Sequence, residues 1–171
     1  MSDASTPKPV GHWRKISDTV IEVNFDILSK FPTDEVKIKW NWTKMTGWVR
    51  VERIGEDLFV AGHKVILHRE PEQIAGGTVT LTDLRHRLES KDVLDLRIMS
   101  ALQENPNLIP RSWQKKETQK RADRIFFFSI GFHRRGSLCV CYFYGIEGHW
   151  YESYCWHGDC DDQDFVALLA D

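Results

Sequence analysis

Three apolar, aromatic-rich segments near one end of the chain constrain its fold more than any other feature. Ile125 to Phe132, Ser137 to Tyr144 and His149 to Trp156 each have the length of a strand. The segments between them, His133-Arg-Arg-Gly136 and Gly145-Ile-Glu-Gly148, carry the glycines that hairpin loops use where φ must be positive. This pattern predicts a three-strand antiparallel β-meander. In the first strand, alternation sends Phe126 and Phe128 to one face and Phe127 to the other. If one face is open, not all three can be core. A symmetric loop over 145–148 pairs Tyr144 with His149 and Cys141 with Glu152. Cys139 and Cys141 then share a face with Trp150 and Tyr154, while Cys155 takes the other.

The beginning of the chain also reads as β. Val36 to Trp42 alternates strictly, with Val36, Ile38, Trp40 and Trp42 on one face, and predicts a half-buried strand. Thr19 to Phe25 and Trp48 to Ile54 are further strands, and Gly55-Glu-Asp57 is a turn. Leu58 to Ala61 and Lys64 to His68 flank a tight hairpin at Gly62-His63. Asp26 to Phe31 reads as one helical turn before Pro32, and Glu70 to Gly77 as a loop. Thr82 or Asp83 is the expected N-cap of a helix carrying Leu84 and Leu88. A second helical run covers Val93 to Leu102 and stops at Asn105-Pro106. Phe165 to Leu169 reads as a short terminal helix. The expected fold is α+β, mainly antiparallel β with a central helical region and the C-terminal meander. It divides into a disordered leader at 1–10, an N-terminal β lobe at 11–77, and the helical region plus meander at 78–171. The helices are expected to cover one sheet face. Whether the lobes form one domain and share one sheet is open at this stage.

With 171 residues, 42% of them hydrophobic, the chain can bury a real core and is not of disordered composition. The longest apolar stretch, Ile125 to Phe132, is too short to span a bilayer as a helix. Met1 to Pro9 has no apolar core of a signal peptide, so the expectation is a cytoplasmic protein with reduced thiols and no membrane anchor. The net charge of −2 hides an uneven distribution. The segment 111–135 is strongly basic, whereas from Glu147 onward there are Asp and Glu residues but no Lys or Arg.

From about Leu58 the chain resembles a group of uncharacterised small proteins predicted from genomes of ultra-small bacteria. The residues that carry this are Leu58-Phe-Val-Ala-Gly-His-Lys-Val65, Asp83-Leu-Arg-His-Arg-Leu88, Val93-Leu94, Glu104-Asn-Pro-Asn-Leu-Ile-Pro-Arg-Ser-Trp113 and Ile125-Phe-Phe-Phe128. The Asn-Pro, Ile-Pro and Trp element followed by a Phe-rich strand is the most specific part. The resemblance implies that residues 58–171 form one unit. It implies no activity. The basic connection between Trp113 and Ile125 is longer here than in the pattern, and several cysteines replace aromatic or aliphatic residues.

The residues suggest three kinds of function. The first is a non-catalytic protein-interaction module, because Trp occurs seven times and Trp48, Trp113, Trp150 and Trp156 are candidate anchors. The alternative is an RNA- or DNA-binding accessory protein. Lys115, Lys116, Lys120, Arg121, Arg124, Arg134 and Arg135 would neutralise phosphates while sheet aromatics stack on bases. The third is a small zinc-binding or cysteine-dependent protein using Cys155, His157 and Cys160, whose C-x-H-x₂-C spacing departs from the usual C-x₂-C knuckle. A nucleophilic pair of Cys155 or Cys160 with His149 or His157 belongs to the same class. Otherwise these cysteines are small buried hydrophobes. There is no phosphate-binding glycine motif, and Asp159 to Asp164 lacks the glycine and closing glutamate of a calcium loop. No cofactor is expected.

Overall fold

The computed structural model describes residues 11–27, 36–155 and 159–171. The expected leader at 1–10 and most of the helical turn expected at Asp26 to Phe31 lie outside the described residues. The architecture is mostly β. Five strands come from the first part of the chain: β1 (Trp13–Ser17), β2 (Val20–Asn24), β4 (Trp48–Ile54), β5 (Asp57–Val60) and β6 (His63–His68). β3 (Val36–Asn41) leaves this group. The meander is β7 (Arg124–Arg134), β8 (Ser137–Ile146) and β9 (His149–Cys155), and β10 (Asp164–Leu169) follows. The described strands form one ten-stranded mixed sheet in the order β1-β2-β4-β5-β6-β10-β7-β8-β9, with β3 beside β7. The two β lobes therefore share a sheet, and β10 joins them, antiparallel to β6 and parallel to β7.

β10 replaces the terminal helix expected at Phe165 to Leu169. Val166, Ala167 and Leu168 are all buried, so this strand is covered on both faces. A continuous apolar run of this length has no period that separates strand from helix, and its central place in the sheet decides the outcome. Val93 and Leu94, expected to be helical, are instead extended along β10; Val93 bridges Leu168 and the Leu94 N–H donates to the Ala167 carbonyl.

The helices are short: α1 (Pro71–Ile74) inside the expected loop, α2 (Leu81–Leu88) and α3 (Leu96–Glu104). Thr80, not Thr82 or Asp83, caps α2, its hydroxyl accepting from the Asp83 N–H. Asp95 caps α3 in the same way through the Arg97 N–H. The helices do not share one sheet face. Leu96, Ile98 and Leu102 of α3 pack on the face that carries Val51, Phe127 and Phe143. Leu81, Leu84 and Leu88 of α2 pack on the opposite face with Phe126, Phe128 and Val140. Phe126, Phe127 and Phe128 are thus all core, because β7 is covered on both sides.

The meander turns are tighter than expected. Arg135-Gly136 and Glu147-Gly148 have φ of 50 and 78, and of 52 and 80, the double positive φ of two-residue type I′ hairpins. The strands run further, and the register moves by two residues: Tyr144 faces Tyr151, and Cys141 faces Tyr154 rather than Glu152. A shift of two preserves faces, so Cys141 still shares its face with Trp150 and Tyr154. In β7, residues 128–130 bulge outward between the Phe127–Cys141 and Gly131–Val140 pairs. β3 satisfies this bulge, as the Trp40 indole donates to the Phe128 carbonyl at 2.9 Å and the Trp42 N–H to the Ser129 carbonyl at 2.7 Å. The Trp40 ring lies flat on Gly131, where any Cβ would come within 2.1 Å of it. β3 is itself irregular between Ile38 and Trp40, which leaves Ile38 49% exposed instead of on the buried face.

Candidate functional site

The second sheet face is covered only in part. α2 lies over β10, β7 and β3, and beyond it the outer strands β8 and β9 carry tyrosines. Alternation in β8 sends Cys141, Phe143 and Gly145 to the α3 side and Tyr142 and Tyr144 to the opposite side, where both are half-buried. The ring of Tyr142 packs on buried Phe126 at 5.1 Å and on Tyr144 at 6.3 Å, and Tyr144 stacks on Tyr151 of β9 at 5.5 Å. The row therefore grades from a core phenylalanine to an exposed tyrosine.

Next to this row runs the basic connection. The Lys115 N–H donates to the Gly145 carbonyl at 3.0 Å, and Gln114 bridges Gly145 in parallel, so the connection takes the place β7 would occupy if it were longer. Gln119 holds its shape by accepting from the Lys116 N–H at 2.7 Å and donating to Asp123 at 2.8 Å. Together they enclose an open cleft of about 740 Å³. β8 lines it with Tyr142, Tyr144 and Ile146 as a floor; the connection lines it with Lys115, Lys116, Glu117 and Lys120 as a wall, and Arg121, Arg124 and Glu147 also line it.

The five cations are not equivalent. Arg124 grips Asp164 with two bonds of 2.7 and 2.8 Å, and the Asp164 side chain is 1% exposed. Arg121 pairs with Asp161 and reaches Asp164 at 3.4 Å. Burial alone would raise the Asp161 carboxyl, but the Gln163 N–H and the Arg121 guanidinium outweigh it and hold the group below its ordinary range. The buried Gln73 side chain fastens the same loop by donating to the Asp161 and Asp164 carbonyls. Asp123 behaves oppositely, its carboxyl raised chiefly by desolvation. Among the described residues Lys115, Lys116 and Lys120 form no ion pair. They are the cations free for a ligand.

Of the residues expected from sequence, the structure brings Lys115, Lys116, Lys120, Arg121 and Arg124 to one cleft. It leaves Arg134 and Arg135 at the far end of β7, roughly 30 Å away at the usual rise of a strand, where Arg134 lies over Tyr154. The tryptophan anchors are largely occupied. Trp113 is 5% exposed and packs on Phe143; Trp150 is half-buried on Gly145; Trp48 is half-buried beneath the Arg14 guanidinium at 4.2 Å. Trp156 and His157 lie outside the described residues. Cys160 is buried in the α2-side core and bridges Val79, as a hydrophobe would be. His149 opens β9 and Cys155 closes it, about 20 Å apart along the strand, too far for a nucleophilic pair. Burial pushes the Cys141 thiol up to about 12, and the Cys139 thiol is raised for the same reason, so neither is a ready thiolate. Among the described residues no cluster of His, Cys, Asp or Glu could hold a metal ion, and no helix is long and apolar enough to cross a membrane. The tyrosine row was not singled out in the sequence. Its signal was the Tyr-Phe-Tyr run at 142–144, which places hydroxyl-bearing rings on one parity of the strand.

No known protein family, curated protein or solved structure matches the chain. The chemistry of the cleft therefore rests on its own geometry.

Proposed function

We propose that this chain is a non-catalytic cytoplasmic accessory protein that binds nucleic acid in the cleft between the 114–124 wall and the outer strands of the meander. The observation that carries the reading is the joining of three unpaired lysines to a tyrosine floor in one concave site. Ammonium groups supply phosphate neutralisation and aromatic faces supply base contact, and nucleic acid is the polymer that offers both. A protein-interaction module built on the tryptophans has less support, because Trp113 and Trp150 are used inside the fold. The free thiols of Cys139 and Cys141 suit a reducing compartment.

The test is fluorescence anisotropy of labelled oligonucleotides titrated with protein across a salt series. Three phosphate contacts predict a slope of log K on log salt of about −2. The triple variant Lys115→Ala, Lys116→Ala, Lys120→Ala should flatten it. Absence of saturable binding at low salt would remove the reading, as would a slope that the triple variant leaves unchanged.

A further inference from the structure

We infer that this site selects single-stranded nucleic acid, with unpaired bases on Tyr144 of the cleft and on Tyr151 beside it, and phosphates toward Lys115, Lys116 and Lys120. This rests on the nucleic-acid reading above and names its substrate class. The first argument is one of magnitude. Three phosphate contacts are few. Between 50 and 200 mM salt they change affinity by only about twenty-fold, against about a thousand-fold or more for duplex binders with six to ten contacts. Glu117 and Glu147, which also line the cleft, reduce the field further. Arg121 and Arg124 add little, because Asp161 and Asp164 already hold them. A ligand that offers only phosphates would leave this site at physiological salt.

The second argument is the floor. Tyr142 and Tyr144 lie 29° from parallel, Tyr144 and Tyr151 25°. Tyr151 is 47% exposed, and among the described residues none of the three hydroxyls has a protein partner. Stacking on such rings is worth about 1–3 kcal/mol per base, so two engaged bases offset the affinity that three phosphate contacts lose between about 50 and 200 mM salt. A duplex cannot collect it, because its base faces are already stacked on one another. Only an unpaired strand has free faces to lay on the tyrosines. Cations stand on one side of the row, so the strand lies with its backbone along the 115–120 wall and its bases across β8 and β9.

The experiment compares a mixed-sequence single strand with a hairpin duplex of the same length, using wild type, Tyr144→Ala, Tyr151→Ala and the conservative Tyr144→Phe. A 2-aminopurine base in the single strand reports stacking directly, and circular dichroism confirms that each variant folds. The expected result is preference for the single strand, a loss of roughly 5- to 150-fold in Tyr144→Ala, loss of 2-aminopurine quenching in that variant, and near wild-type binding in Tyr144→Phe. Equal or tighter duplex binding, or single-strand binding indifferent to both alanine variants, overturns the inference while leaving nucleic-acid binding in place. Failure of both probes to bind overturns the reading beneath it.

Discussion

The two faces of the meander differ by one atom type and one neighbour. On the α3 side Phe143 meets Phe127 at 5.2 Å, Trp150 at 4.9 Å and Trp113 at 6.0 Å, and is fully buried. On the other side Tyr142 and Tyr144, its immediate neighbours in sequence, form a half-buried row, with Tyr142 packed at the border of the core that α2 covers. The closed face is a core of hydrocarbon, and the open face keeps rings of the same size but adds hydroxyls that tolerate water. An aromatic-rich strand is therefore not all core. The tyrosine parity marks the face that has been left available.

The sharpest way to break this comparison is to truncate one ring on each side. Phe143→Ala should cost about 3–5 kcal/mol of unfolding free energy, and Tyr144→Ala under about 1 kcal/mol, as read from urea denaturation midpoints. Equal losses would mean that the open face is structural after all. A smaller contrast comes from the two glycines under tryptophan rings. A Cβ on Gly131 would sit 2.1 Å from Trp40, which is 6% exposed and has nowhere to go, so Gly131→Ala should cost about 1–3 kcal/mol. At Gly145 the clash is only 2.9 Å and Trp150 is half-exposed, so the ring can swing away and the thermal midpoint of Gly145→Ala should fall less. The smallest effect concerns the charged rim. The folded Asp161 carboxyl lies below its unfolded value, so its stabilisation is present above the ordinary carboxylate range and is lost as pH falls through the folded pKa. The group is partly exposed, and screening limits this to about 1 kcal/mol or less. Wild type should exceed Asp161→Asn in denaturation midpoint at pH 7 and lose that lead on acidification; a lead that persists at low pH would sever Arg121 from this role.

Much of the meander could be read in advance because alternation and turn glycines are local signals. Its register could not. Arg135 and Glu147 adopt positive φ, which sequence does not advertise for such residues, and the turns are two residues long instead of four. The basic side of the cleft was legible because Lys115, Lys116 and Lys120 are close in sequence and stay close in space. Arg134 and Arg135 are also near Arg124 in sequence, but an eleven-residue strand carries them to the opposite end. The floor was illegible for a different reason. That Tyr142 and Tyr144 stay half-buried and not fully covered depends on where α2 lies, and Leu81 to Leu88 alone does not say which strands it covers.

The position of β10 has a kinetic consequence. Among the described residues, hydrogen bonding along the sheet passes from β6 to β7 only through this strand, which lies about a hundred residues beyond β6 in the chain. Neighbouring hairpins can close early, but the two half-sheets must wait for a long-range insertion, so the chain belongs with the high-contact-order, slowly folding topologies. During that wait the flanks of β6 and β7 are bare ladder edges carrying Val65, Leu67, Ile125 and Phe126. Such edges are templates for pairing with other chains, and the interval before β10 docks is when this protein is most exposed to aggregation.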